Sequence, residues 1–485
     1  AGRCSLTADQ AGDGNHQAAA QQRLDVDIAV AVPVLVWETE LTHMVGEGSF
    51  ELPLPASPSP GAFTFESSDT AVASIDGRTV TIHGEGTAVI TARQAASGSY
   101  AAASMELRLV IKQRPDPTRD ADVTGLLQAQ VDASVRFATA QQANIRDRLR
   151  QVRAGGNAGS NTVNLSNGSA GRNAASLPVG QLAGDGADLL PKGWGSWAAG
   201  TATYGRGGAQ RDGRYDLRTD GLTVGVDRAL GEHGLFGVAG SIGRNDSELQ
   251  DSDSEMHADQ RSLALYGLWR AGAHVFVDGM LATGSLEFDL RRWSRDAGAM
   301  GLASRDGSQW FGSLGVGYEQ DVGAMRMTGY GRYDASRSTL DAYREKGLGA
   351  YDLAYGRHVV ENRALAVGLE GSLQPTGDAR LRPFWSMEYR HALQDRGTAT
   401  LNYAQWAHAQ DYAVGMRSYN DNALSLSAGM DIRLQRGWML SLLLGHEQTR
   451  ASSESSSIGL RLSSGGQAGA VQQPMEQQAV QPAVE

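Results

Sequence analysis

The sequence predicts an all-β chain with one long helix: a small N-terminal β-sandwich, a pore-threading α-helix and a C-terminal 12-stranded antiparallel transmembrane β-barrel. Three observations carry this prediction. From Trp194 to Ser463 the segments alternate apolar and polar residues over lengths that a soluble core rarely needs. Their connections alternate between short and long. No run of about 18 apolar residues is present, so a helical membrane span is excluded.

Composition agrees. The chain has 485 residues, room for more than one domain, and its 61 glycines against 13 prolines suit closely packed strands in a closed sheet. A balance of 43 basic against 54 acidic residues, net −11, argues against nucleic acid as a partner and suits an outer surface. Cys4 is the only cysteine, which excludes an internal disulfide framework and any multi-cysteine metal site and is compatible with an oxidising periplasm. The chain begins without Met or an apolar leader, so an export signal is expected upstream or already removed.

Residues 1–28 echo a later segment. Ser5-Leu6-Thr7-Ala8-Asp9-Gln10-Ala11-Gly12 resembles Val89-Ile90-Thr91-Ala92-Arg93-Gln94-Ala95-Ala96, and Ala18-Ala19 falls on Ala102-Ala103, at a constant offset of 84. That period is about one small β-sandwich, so residues 1–28 are expected to be the end of a truncated preceding repeat. Cys4 then aligns with Ala88 in a strand and is expected to be a buried structural thiol, with Arg3 before it arguing against a lipoprotein signal.

The complete copy spans 29–113. Ser67-Ser68-Asp69 supplies a capped turn, Asp76-Gly77 a hairpin turn, and Val80, Ile82 and Val89 alternate as half-buried strand residues. This motif, Phe63 to Ile82 and then Gly84 to Ala92, resembles a bacterial Ig-like domain, which implies a spacer or adhesive module.

After Arg114-Pro115-Asp116-Pro117, residues 118–153 lack proline and carry Val131, Val135, Ala138, Ile145, Leu149 and Val152 at intervals of three, four or seven. A helix of this length reaches about 54 Å, enough to cross a barrel of bilayer height. Its other face is basic at Arg146, Arg148, Arg150 and Arg153, and the candidate lumen carboxylates are Asp227, Asp278, Glu388 and Asp431. An exposed linker helix with solvated arginines is the alternative. Residues 154–192, rich in Gly, Ser and Asn, read as a flexible tether with no fold of its own.

The barrel is expected over 193–463. Leu424, Leu426, Ala428, Met430, Ile432 and Leu434 would face lipid, with Ser425, Ser427, Gly429, Asp431 and Arg433 inward. Leu381, Pro383, Trp385, Met387 and Tyr389 repeat this opposite Arg382, Ser386, Glu388 and Arg390; Leu222, Val224 and Val226, then Leu365, Val367 and Leu369, and finally Ile458, Leu460 and Leu462 do the same. Tight turns are expected at 230–234, 270–273, 320–323, 374–377 and 435–437, and longer polar loops near 205–214, 245–258, 291–306, 339–356, 394–418 and 450–455. Such asymmetry is that of outer-membrane barrels, whose long loops face outside. Residues 464–485, rich in Gln, Ala and Pro, are expected to be a disordered tail.

Taken in order, Ig-like repeat, Pro-bounded helix, tether and barrel resemble a type Va autotransporter of Gram-negative bacteria, most specifically at Leu381 to Tyr389, Asn422 to Asp431 and Ser457 to Leu462. The resemblance implies an outer-membrane translocator and anchor for an Ig-like passenger at the cell surface, with a helix in the pore. It implies outer-membrane lipid, the barrel-assembly machinery and periplasmic chaperones as partners, and a host or cell-surface ligand for an adhesin or stalk. Family members often end on the last strand, whereas here the chain continues from Ser464 to Glu485. Some cut themselves at an Asn-Asn pair in the pore helix; here Asn144 precedes Ile145, so cleavage is not expected.

No enzymatic motif is found: His-Glu-x-x-His, Gly-x-Ser-x-Gly and a Walker loop are absent, and Ala239-Gly240-Ser241-Ile242-Gly243 lies within an expected strand. Asp246, Asp251, Asp253 and Glu255 lack the spacing of an EF-hand and read as a solvated loop; His233, His274 and His446 suggest no metal site. Neither cofactor, metal nor catalytic residue is expected. Two other readings stay open: an outer-membrane pore with a helix plug, and a translocator for an enzymatic passenger upstream.

Overall fold

The computed structural model describes residues 2–153, 160–168, 194–207, 213–373, 380–393, 397–405, 411–416, 422–434, 438–449 and 454–464. Two compact units divide the chain between Asp116 and Pro117.

In the first unit β1 (Gly2–Ala8) pairs antiparallel with β2 (Gln22–Ile28). Seven more strands complete it: β3 (Glu40–Met44), β4 (Ser49–Glu51), β5 (Phe63–Ser67), β6 (Ala73–Asp76), β7 (Thr79–Ile82), β8 (Gly86–Gln94) and β9 (Ala103–Lys112). They make two sheets, β3-β9-β8-β5 and β4-β7-β6. Period-two burial puts Ala88, Ile90 and Ala92 of β8 with Leu107 and Leu109 of β9 in one apolar core, closed by Leu52 and Val80. The turn chemistry is local: Asp69 Oδ1 accepts from the backbone N–H of Ala71 at 2.9 Å, Ser68 Oγ accepts from Val89 N–H at 2.9 Å, and Gly77 takes φ 63°.

The 84-residue offset recurs in the backbone. β1 opens at Gly2 and β8 at Gly86, β2 closes at Ile28 and β9 at Lys112, and the bridges Asp13–His16 and Ser97–Tyr100 keep the same spacing. The pairing differs by one residue, for Cys4 stands opposite Val26 whereas Ala88 stands opposite Leu109. The expectation of a buried Cys4 is corrected: the thiol is exposed, because a lone two-stranded ribbon has no second layer to cover either face.

The second unit opens with a 3₁₀ turn at Pro117–Arg119 and the helix α1 (Ala121–Arg153). Asp120 caps it, Oδ1 accepting from Asp122 N–H at 2.8 Å. The helix therefore begins three residues later than the proline boundary suggests. Next comes β10 (Ser160–Gly168), a strand within the stretch expected to have no fold of its own. Val163 and Leu165 alternate there with Asn and Ser, and pairing parallel to the next strand satisfies its backbone. The rest of that stretch, 154–159 and 169–192, lies outside the described residues, as does the tail beyond Ser464.

Twelve antiparallel strands build the wall: β11 (Trp194–Gly207), β12 (Tyr215–Leu230), β13 (Gly234–Leu249), β14 (Glu255–Ala271), β15 (Val275–Ser294), β16 (Ala299–Val322), β17 (Met325–Leu340), β20 (His358–Leu373), β21 (Leu381–Ala392), β24 (Ala423–Arg433), β25 (Trp438–Thr449) and β26 (Glu454–Ser464). Between them β18 (Tyr343–Arg344), β19 (Leu353–Tyr355), β22 (Thr398–Tyr403) and β23 (Tyr412–Gly415) form a separate small sheet. β10 lies between β11 and β26 and closes the ring.

Each tight turn that is described joins strands at one end of the barrel, after Leu230, Ala271 and Val322. The turns expected at 374–377 and 435–437 lie outside the described residues. At the other end the picture is corrected. The stretches 245–258 and 291–306 are mostly paired strand ends with short loops at 250–254 and 295–298, because alternation and ladder bonds continue past the apolar band. Segments 339–356 and 394–418, expected as loops, supply the four-stranded outer sheet.

Candidate functional site

Alternation makes this barrel apolar outside. Val224, Val226, Ile242, Leu263, Leu265, Leu281, Leu314, Val316, Leu365, Val367, Leu424, Leu426, Leu442 and Leu444 are all exposed on the outer face. Such a continuous band is far larger than the apolar patches of soluble monomers and fits hydrocarbon as its solvent. Exposed Trp194, Phe236, Trp269 and Tyr318 stand towards the tight-turn end and Tyr204, Trp310 and Tyr389 towards the other, as interfacial aromatics do. The side chains of Ile458, Leu460 and Leu462 lie outside the described residues.

Inside, the helix runs through the lumen against β11 to β17 and β20. Its apolar stripe, Ala138, Ile145 and Leu149, meets Trp197, Ala239, Ala264, Leu268, Phe276, Met280 and Phe311, so one side of the lumen is apolar. Close approach to the helix needs glycine: a Cβ on Gly243 would stand 2.8 Å from the ring of Phe137, and one on Gly213 would stand 2.5 Å from the carbonyl oxygen of Ala121. The stripe is not the whole contact. Gln130, Ser134, Arg136, Gln141, Gln142, Asn144 and Arg148 are buried as well, since eight strands, β11 to β17 and β20, pack against the helix.

Polar anchors run along its length. Near the N-terminus Asp122 accepts from the hydroxyls of Ser252 and Ser254, the latter at 2.7 Å, and Asp132 accepts from the Tyr215 hydroxyl. Arg136 donates to Asn245 Oδ1 at 2.7 Å, Gln142 Nε2 to the carbonyl of Gly312 at 2.8 Å, and Asn144 Nδ2 to Thr223 Oγ1 at 3.0 Å. Wall residues reach back: Arg305 donates to Gln130 Oε1 at 2.8 Å and Gln309 to the carbonyl of Ser134 at 2.6 Å.

All four arginines of the basic face meet carboxylates in the tight-turn half. Arg148 grips Asp227 in a fork, Nε to Oδ2 at 2.8 Å and Nη2 to Oδ1 at 2.9 Å, with both side chains 2% exposed. Asp227 also accepts from Tyr266 at 2.9 Å, and that hydroxyl accepts from the Trp197 indole. Arg153 bridges Asp278 at 2.8 Å and Glu319 at 2.9 Å and lies over the Phe276 ring at 3.9 Å. Arg146 contacts Asp334 at 3.4 Å and Arg150 contacts Glu370 at 2.7 Å.

The expected carboxylates thus divide. Asp227 and Asp278 meet the helix. Glu388 is instead held within the wall by Arg332, at 2.9 Å to each oxygen, and by Tyr330 at 2.7 Å. Asp431 stands opposite Arg382 of β21 and Ser441 of β25. Asp334, Glu319 and Glu370 were missed, although strand parity could have found them: Glu370 comes directly after the outward Leu369, so it must point inward.

At the helix N-terminus the outer sheet is tied down by Arg292 of β15. It forks onto Glu345 at 2.8 and 2.7 Å and reaches Asp120 at 3.3 Å, while Tyr355 donates to Glu345 at 2.9 Å. Among the described residues no group of three or more His, Cys, Asp or Glu could hold a metal. Of the acidic loop, Asp246 pairs with His257 and Glu255 with Arg291 at 2.7 Å.

A wall apolar to lipid, a helix in its lumen and a chain entering from the end away from the tight turns define an outer-membrane barrel with a threaded segment. The chain belongs to the autotransporter β-domain family, whose model matches residues 196–445, and the intimin immunoglobulin-like domain model matches residues 54–96. Its barrel lies in the outer membrane with the Ig-like domain at the cell surface. A curated relative, an uncharacterized protein in the trpE-trpG intergenic region of Pseudomonas putida, is 28% identical over 225 residues, 44% of this chain and 35% of that protein. The chain therefore spans about a third of the length of that relative. Similar solved structures include the translocator domain of autotransporter NalP from Neisseria meningitidis, 20% identical over 57% of this chain and 90% of that chain with a TM-score of 0.42. The β domain of the Bordetella autotransporter Brka is 14% identical over 56% and 98%, TM-score 0.39. The transport unit of AIDA-I from Escherichia coli is 11% identical over 56% and 89%, TM-score 0.38.

Proposed function

We propose that the barrel carries the Ig-like passenger across the outer membrane, and that α1 remains in the lumen afterwards as both anchor and plug. The buried Arg148–Asp227 fork carries this reading, since such a contact forms only after the helix has come to rest. A closed ring leaves no unpaired backbone edge in lipid, and its partly polar interior gives an unfolded chain a wet path. Folding of the sandwich outside opposes back-sliding, so no nucleotide is required.

Four further assignments belong to the proposal. Residues 1–28 are the end of a preceding Ig-like repeat, supported by the 84-residue recurrence of strands and bridges. The passenger stays attached, because Asn144 is bonded to Thr223 and precedes Ile145 rather than a second Asn. It acts as an adhesin or stalk with a host or cell-surface ligand. Insertion relies on the barrel-assembly machinery and periplasmic chaperones.

Protease shaving of intact Gram-negative cells tests the central statement, with an epitope tag near Ser97 and another after Glu485. Loss of the first tag while a barrel-sized fragment keeps the second is the expected result. Protection of both would overturn it and favour a pore whose N-terminal part is not displayed.

A further inference from the structure

Two arginines of the wall hold the hairpin β18–β19 and the helix at once. Arg305 of β16 donates from Nε to the carbonyl of Asp341 at 2.7 Å and from Nη2 to those of Leu340 and Gly356, both at 3.1 Å. It thus grips both legs of the hairpin, and its Nη1 donates to Gln130 Oε1 of α1 at 2.8 Å. Arg292 of β15 divides its donors in the same way. Its Nε and Nη2 fork onto Glu345 of the hairpin at 2.8 and 2.7 Å, and its Nη1 meets Asp120, the helix cap, at 3.3 Å.

Neither guanidinium stands in water. Each arginine is 3% exposed, and Arg305 lies over the ring of Tyr343, which stacks on Tyr355 with centroids 4.4 Å apart. A buried charged donor that loses its acceptor is costly, because its desolvation is no longer offset. With the hairpin in place, Nη1 of both arginines is satisfied only while Asp120 and Gln130 are present, which is to say while the N-terminal half of α1 is seated. The second hairpin, β22–β23, joins the first through the β19–β22 pairing, and β23 packs against the 3₁₀ turn that leads into α1.

We propose that the outer sheet is a lid whose closure is coupled to the docking of α1, with Arg292 and Arg305 as the positioning residues that carry the coupling. While passenger chain without these acceptors occupies the lumen, Nη1 of each arginine is unmet and the lid stays open. When Asp120 and Gln130 arrive, both arginines are satisfied and the lid shuts. Such coupling is reciprocal, so the shut lid holds the helix in turn. The inference rests on the reading of α1 as a segment that comes to rest in the lumen, and adds the device that registers its arrival.

Hydrogen exchange of the full chain in detergent, read by mass spectrometry, tests it. Asp120→Asn keeps a capping oxygen for the Asp122 N–H but sets an amide against Arg292. Gln130→Leu removes the acceptor of Arg305 and keeps a side chain of similar size. Neither residue belongs to the lid, yet the two changes together should speed exchange in β18, β19, β22 and β23 by roughly tenfold or more, the effect of a buried donor left unmet. From the other side, Glu345→Gln should speed exchange over residues 121–130 of α1. Unchanged lid rates in the helix variant, or unchanged helix rates in the Glu345→Gln variant, would overturn the proposal. So would equal loosening of the wall strands β14 and β15, which would make the effect a general loss of stability. Surface shaving reads secretion separately: protection of both tags beside an intact coupling would sink the translocation reading and still support the lid.

Discussion

The Ig-like domain and the barrel are written in the same two-residue alternation and fold it in opposite senses. In the sandwich the apolar residues of each strand turn inward, and Leu52, Val80, Ile90, Leu107 and Leu109 are fully buried. In the barrel most of them turn outward, where Leu281, Leu314 and Leu444 are each 61% exposed, and the interior holds arginine, glutamine and carboxylate beside one apolar side made by Trp197, Phe276 and Phe311. Solvent decides the difference. Hydrophobic burial holds the sandwich together in water, whereas in lipid the side chains gain little from leaving the bilayer, and the satisfied backbone ladder and lumen contacts carry the fold.

The contrast is broken most severely in the lumen. Asp227→Ala strands the buried Arg148 guanidinium without its carboxylate and should cost about 3–5 kcal/mol of helix docking, read as proteolytic release of α1 from the folded barrel. Pairing Arg148→Met with Asp227→Leu should recover most of that loss, since two apolar groups leave no uncompensated charge. In the sandwich Leu107→Ala should cost about 2–5 kcal/mol, measurable by denaturation of the Ig-like domain while barrel mobility stays unchanged. On the lipid face the same kind of position answers to charge: Val316→Arg should cost about 2–4 kcal/mol of barrel stability. Gly243→Val should force Phe137 aside and cost about 1–3 kcal/mol of helix docking. Smallest is Arg291→Ala, which breaks the exposed pair with Glu255 and should change stability by less than about 1 kcal/mol.

Range decides how much of this was legible in the sequence. Alternation is local, so the twelve antiparallel strands, the outward faces of β20, β21 and β24 and the helix with its basic end could be read directly. Partners across the lumen could not. Strand parity makes Asp227, Asp278 and Glu388 expected inward carboxylates, but nothing in the strand of Glu388 says that Arg332 of a neighbouring strand claims it first. The outer sheet escaped because β18, β19, β22 and β23 are only two to six residues long and the β19–β22 pairing that joins its two hairpins is non-local. β10 is short and flanked by Gly-rich chain, so its two apolar residues could not outweigh the composition around them.

The central claim is that the helix closes the lumen through its arginine–carboxylate contacts, and single-channel recording in planar bilayers tests it most directly. The full chain should show a low conductance, and replacement of Arg146, Arg148, Arg150 and Arg153 together by glutamine should add frequent openings towards the level of a barrel whose residues 118–153 have been deleted. A steady high conductance from the unaltered chain, indifferent to those four substitutions, would contradict the account and make the chain an open pore.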